Sequence, residues 1–80
     1  MEQVIHNRGR KRLMLRLPHL RTELALTCSP AFVDICESYE LAAVAREAFS
    51  RKAEHQHLVT EYDELCAHLE KEAEREFRKR

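Results

Sequence analysis

Tryptophan is absent from this chain, glycine occurs once and proline twice, and aromatic residues make up 6% of the 80 positions. Each scarcity excludes something. A single glycine cannot build the glycine-rich loop that cradles phosphates. No apolar stretch approaches the ~20 residues that span a bilayer. The only apolar run near the start, Leu13-Met14-Leu15, is cut by Arg16, so nothing reads as a secretory leader. Cysteine is present three times, as Cys28, Cys36 and Cys66, an odd number with no CxxC among them. That pattern is neither a disulfide framework nor a thiol pair. The chain therefore reads as cytoplasmic, with reduced thiols and no membrane association. Neither GxSxG nor HExxH occurs. No catalytic residue, metal ligand set or cofactor is implied, and enzymatic activity is not expected.

What is present is charge and helix-spaced hydrophobes. Charged residues account for 35% of the chain. A single domain of this length sits near the lower limit of what one core can hold together, and oligomerisation is a common remedy. The net charge of zero hides an asymmetry. Residues 1–22 set Arg8, Arg10, Lys11, Arg12, Arg16 and Arg21 against Glu2 alone, a net of +5, and residues 23–80 carry −5. Opposite signs at the two ends point to self-association or to a basic arm aimed at a polyanion. The first is favoured, because the body offers the arm an intramolecular or intersubunit counter-surface.

The organising stretch is Ser29–Phe49. Ser29 can cap a helix, Pro30 suits the first helical position, and Asp34 and Glu37 lie near the positive end of the helix dipole. Phe32, Ile35, Tyr39, Ala42 and Phe49 recur at helical spacing on one face, with Arg46 interrupting the stripe. A second stripe, Leu58, Tyr62, Leu65 and Leu69, follows. Residues 50–57 lack Gly, Pro, Asn and Asp. Phase argues for a break nonetheless, since Phe49 and Leu58 would face opposite sides of a continuous helix. Arg51 and Lys52 suit the end of a first helix and Glu54 the start of a second. Ala73 and Phe77 continue the second stripe, and Arg78-Lys79-Arg80 complement its C-terminal dipole.

Upstream, residues 1–12 lack a sustained period and Asn7-Arg8-Gly9 interrupts any helix, so they read as a basic flexible arm, separate from a helical hairpin domain over 13–80. Leu13 to Leu17 reads as extended before Pro18. Pro18 opens a short helix with Leu17, Leu20 and Leu24 on its apolar edge, ended by Thr27-Cys28-Ser29-Pro30. The expected fold is thus all-α: a two-helix antiparallel hairpin preceded by a short N-terminal helix, dimerising into a four-helix bundle.

The polar candidates each have a plain structural reading. Glu64 with His68, and His57 with Glu61, sit four apart and could share a metal, but neither pair has a third or fourth ligand. Cys36 and Cys66 lie beside the stripes as small hydrophobes, and Cys28, at the junction, is the candidate for a reactive thiol. Tyr39 and Tyr62 need hydroxyl partners if buried, and Arg46 can pack its stem inward while its head reaches a carboxylate. Arg8, Arg10, Lys11, Arg12 and Arg16 could contact phosphates, yet no aromatics are interleaved for base stacking.

Leu17-Pro18, then Leu20 and Leu24, then Phe32 with Tyr39 seven residues on, resembles the small bacterial YdcH-like (SlyX-like) helical-hairpin proteins. The segment TEYDELCAHLEKE resembles their second, charged helix. Ala42 and Arg46 depart from the aliphatic residues of that family. The resemblance spans about residues 15–75 and implies architecture, with no activity. The pentamer Asp34-Ile35-Cys36-Glu37-Ser38 also resembles a stretch in the second helix of Rop-type plasmid copy-number proteins, dimeric hairpins that bind paired RNA loops. The function expected is non-enzymatic protein–protein interaction by a homodimer, possible partner proteins included. The alternative is RNA binding through the basic arm.

Overall fold

Ser29 Oγ accepts a hydrogen bond from the Phe32 N–H at 3.2 Å, and Pro30 fills the first helical position, where no N–H is needed. The long helix α3 starts there and runs Pro30–Phe49. Around it the computed structural model, which describes residues 2–78 and the side chains of residues 5–77, places three more helices. They are α1 (Glu2–Arg16), α2 (Arg21–Leu26) and α4 (Gln56–Arg78). No strand occurs among the described residues, so the protein is all-α. Lys79 and Arg80, expected to complement the dipole of the last helix, lie outside the described residues.

The N-terminal segment departs from the sequence reading. Residues 2–12 belong to α1, and the boundary placed between Arg12 and Leu13 falls inside that helix. Leu13–Leu15 is helical too, not extended. Gly9 does not break α1. It is buried where α1 lies against the Cys36 backbone of α3, and its missing side chain is what the approach requires. Ile5, Gly9, Leu13 and Leu17 form an i, i+4 ridge, and Leu13 and Leu17 enter the core.

After α1, Pro18–Leu20 forms a 3₁₀ turn that leads into α2. Leu24 of α2 is fully buried, while Leu20 packs partly against the core. The connection at Thr27 to Ser29 is extended, with backbone that lets α3 turn away. Contacts between α1 and α3 advance in the same direction along both helices, Gly9 meeting Cys36 and Arg12 meeting Glu40.

α3 stops at Phe49, where Ser50 closes the last turn by donating its N–H to Arg46 O. A 3₁₀ turn, Ala53–His55, precedes α4. Contacts between α3 and α4 run in opposite order: Phe49 with Tyr62, Arg46 with Asp63, Tyr39 with Glu70, Phe32 with Phe77. α3 is therefore flanked by α1 on one side and α4 on the other. The molecule measures 42 × 27 × 19 Å.

The core differs from the two stripes at specific places. Phe32, Ile35, Tyr39 and Ala42 are buried as their spacing requires, and Leu69 joins them. Phe49, Leu58 and Tyr62 are half-buried. Leu65 is exposed. α4 keeps Leu69 and Ala73 of the expected stripe in the core, with Tyr62 and Phe77 packed against it, but buries Val59 and Cys66 in place of their neighbours Leu58 and Leu65. Cys66 and Ala73 are small enough for α4 to close on the bulky Phe32 and Tyr39, which leaves Leu65 on the flank.

Candidate functional site

The arginines of α1 are placed by the helix itself. Arg10, Arg12 and Arg16 project from its turns, and each finds an acceptor within the same chain. Arg10 donates from Nη1 to the carbonyls of Leu24 at 2.5 Å and Thr27 at 2.7 Å. These are end-of-helix carbonyls of α2, left without intrahelical partners, so a cation there completes them. The same guanidinium lies 5.3 Å from the centroid of the Phe32 ring, a cation–π arrangement. Arg10 thus ties α1, α2 and α3 together.

Arg12 bridges two carboxylates of α3. Its Nε donates to Glu40 Oε1 at 2.6 Å and its Nη1 to Glu47 Oε1 at 2.7 Å. Glu40 is buried, and its charge is matched by this guanidinium. Burial works against the charged form of Arg12, but the hydrogen bonds to Glu40 and Glu47 outweigh it and raise its pKa. Arg16 reaches Glu70 of α4 at 3.3 Å, and the charge of Glu70 raises its pKa in turn.

Tyr39 donates its hydroxyl to the same Glu70 oxygen, at 2.6 Å. Burial, then that hydrogen bond, push its pKa well above the usual phenol value. Arg46 pairs with Asp63, stem along the stripe and head on a carboxylate. These groups line a cleft of about 360 Å³ between α1, α3 and α4, with Ala43, Cys66 and Ala67 among its walls and Leu15 at its lip.

Chemically the cleft is self-satisfied. Arg12, Arg16 and Arg46 each have a carboxylate, and no buried side-chain N or O atom among the described residues lacks a partner. Burial raises the Cys66 thiol, with Glu70 and Asp63 adding to it, which disfavours the nucleophilic thiolate. Cys36 is buried and likewise raised, to about 11. Cys28 is exposed. Among the described residues no group of three or more His, Cys, Asp and Glu side chains could hold a metal ion. His68 pairs with Glu72 at 2.9 Å instead of Glu64, and His55 packs edge-on against Phe49.

Of the five cations offered for polyanion contact, Arg10, Arg12 and Arg16 are engaged internally. Arg8 and Lys11 remain exposed on the outer side of α1. The sequence reading missed the partners of the first three. Their signal is the ridge of Ile5, Gly9 and Leu13, which buries one side of α1 and sets the neighbouring arginines against α3.

The other exposed features are apolar, Leu15 of α1 and Leu26 of α2 among them. On the side of α3 away from the core, Leu41 is 60% and Val44 47% exposed. They are three residues apart, so they share a face, and Ala48 extends it by one turn. No protein family, curated protein or solved structure matches the chain.

Proposed function

We propose that the protein is a small, non-enzymatic helical interaction module that works by reversible self-association, with binding of a partner protein as its further use. The observation that carries this reading is the unpartnered apolar face of α3, Leu41 and Val44, on the side of that helix away from the core. Isolated exposed hydrophobes are common on monomers, but two branched aliphatic residues on one face of the central helix favour a contact there. In this reading α3 and α4 act as an antiparallel hairpin, and two copies join through the outer faces of their α3 helices. The setting is cytoplasmic, and the likeness to YdcH-like proteins bears on architecture alone. Sedimentation velocity over a range of protein concentrations tests it. A concentration-dependent shift from monomer to dimer is expected, and a single monomeric species throughout would refute self-association.

The rival reading, RNA binding by the basic segment, is disfavoured by the internal partners of Arg10, Arg12 and Arg16. Each neutralised phosphate contributes about 0.7–0.9 to the salt slope of log affinity. Titration with mixed RNA and duplex DNA at two salt concentrations is expected to give weak binding with a slope no steeper than Arg8 and Lys11 supply. A slope equal to all five cations would promote this rival.

A further inference from the structure

The outer face of α3 continues beyond its apolar centre, and the continuation is charged in a definite order. Asp34, Glu37, Leu41, Val44, Ala48 and Arg51 follow one another at intervals of three and four residues, the spacing of a coiled-coil seam. The first two are acidic, the middle three apolar, and the last, just past the helix end, is basic. Asp34 and Arg51 are exposed, Glu37 is half-buried, and none of the three has an ion-pair partner among the described residues.

This line is complementary to itself when reversed. Laid antiparallel against a second copy, with a two-fold axis between Leu41 and Val44, each Leu41 meets the other copy's Val44. Each Asp34 meets the other copy's Arg51, and each Glu37 lies over the other copy's Ala48 within reach of that arginine. A parallel pairing would instead set Asp34 on Asp34, Glu37 on Glu37 and Arg51 on Arg51. Like charges directly opposed cost energy, and antiparallel helix dipoles attract where parallel ones repel. We infer that α3 pairs antiparallel with α3 of a second copy of this chain, through the seam from Asp34 to Arg51. This rests on the self-association reading above and adds the face, the direction and the register.

The seam is about 25 Å long at 1.5 Å per residue and about 10 Å wide, the width of a helix. Two such strips cover less than the roughly 1,200 Å² of a standard stable interface. The dimer is accordingly a weak, readily reversible one, suited to exchange of partners.

The test is sedimentation equilibrium of the full chain and four variants, with far-ultraviolet circular dichroism confirming that each remains helical. Leu41→Asp places a charge at the centre of the seam on an exposed position and is expected to weaken dimerisation by about tenfold or more. Asp34→Arg and Arg51→Asp each turn both attractive end contacts into repulsive ones and weaken the dimer. The double variant Asp34→Arg/Arg51→Asp restores them and binds more tightly than the Arg51→Asp single variant, short of the wild type only by the lost attraction between Glu37 and position 51. In a parallel dimer the single reversals exchange one like-charge contact for another and change nothing, which would overturn the direction. A dimer untouched by Leu41→Asp would overturn this face while leaving self-association standing. A wild-type chain that stays monomeric would overturn both.

Discussion

Gly9 of α1 rests on the backbone of Cys36 of α3, so closely that a Cβ at position 9 would overlap the Cys36 carbonyl and stand 2.7 Å from its carbon. The glycine has an ordinary helical conformation; only the space matters. It is the chain's single glycine, and it sets how near two helices can come. Alanine is the better helix former by about 1 kcal/mol. Gly9→Ala should destabilise all the same, by about 1–3 kcal/mol net, because the clash is with backbone and α1 must lift off. Urea unfolding followed by circular dichroism measures it, with Arg8→Ala on the exposed side of α1 as the control expected to stay within about 0.5 kcal/mol.

Leu13 and Leu65 have exchanged the roles that spacing alone would give them. Leu13, in the segment that reads as extended, is fully buried, whereas Leu65, in the middle of a regular stripe, is 41% exposed. Leu13→Ala should cost about 2–5 kcal/mol, the range for emptying a closed leucine site. Leu65→Ala should cost under about 1 kcal/mol, since much of its area is already in water. Equal losses in urea melts would contradict the placement of α1 in the core.

These two residues also show what the sequence displays and what it hides. α3 is legible because its signals are strong and local: a serine cap, proline in first position and large apolar residues at helical spacing. The short helix after Pro18 is legible for similar reasons. α1 is hidden because its buried ridge runs through a glycine, which counts as a breaker by propensity but as a small core residue once another helix lies against it. The burial of Cys66 in place of Leu65 is hidden because a cysteine weighs less than a leucine in any hydrophobic tally. Small residues mark where helices approach, and only the partner helix reveals that. The basic segment reveals its charge in sequence but not its acceptors, since Glu40, Glu47 and Glu70 lie 28 to 54 residues away from their arginines.

Glu40 is a buried carboxylate whose charge is answered by Arg12. Arg12→Ala should strand it and cost about 1–3 kcal/mol, with water entering along the partly exposed arginine site limiting the loss. Glu40→Leu combined with Arg12→Ala should recover most of that stability, because a hydrophobic replacement removes the stranded charge. A double-mutant cycle in urea gives the coupling directly. Additive losses would mean that the pair does not act as a unit. Arg16→Ala, by contrast, opens only an exposed pair and should change stability by under about 1 kcal/mol.

Alkaline pH should loosen this fold at the α1–α3–α4 junction. Burial pushes the Cys36 thiol up to about 11 from its ordinary 9.0, with Arg10 opposing the shift and Glu37 adding to it. Burial raises Cys66 as well, and burial together with the hydrogen bond to Glu70 raises Tyr39. In each case the folded state holds a proton that the unfolded chain gives up earlier. The stability from the Cys36 thiol is therefore complete below about pH 9 and is lost as pH rises through about 11. Within that window each such group changes stability by at most about 1.4 kcal/mol per pH unit. Urea melts under reducing conditions across this range should show a steady fall. Cys36→Ala should flatten part of that fall. The same slope in Cys36→Ala as in the wild type would show that this thiol is not held away from water between α1 and α3.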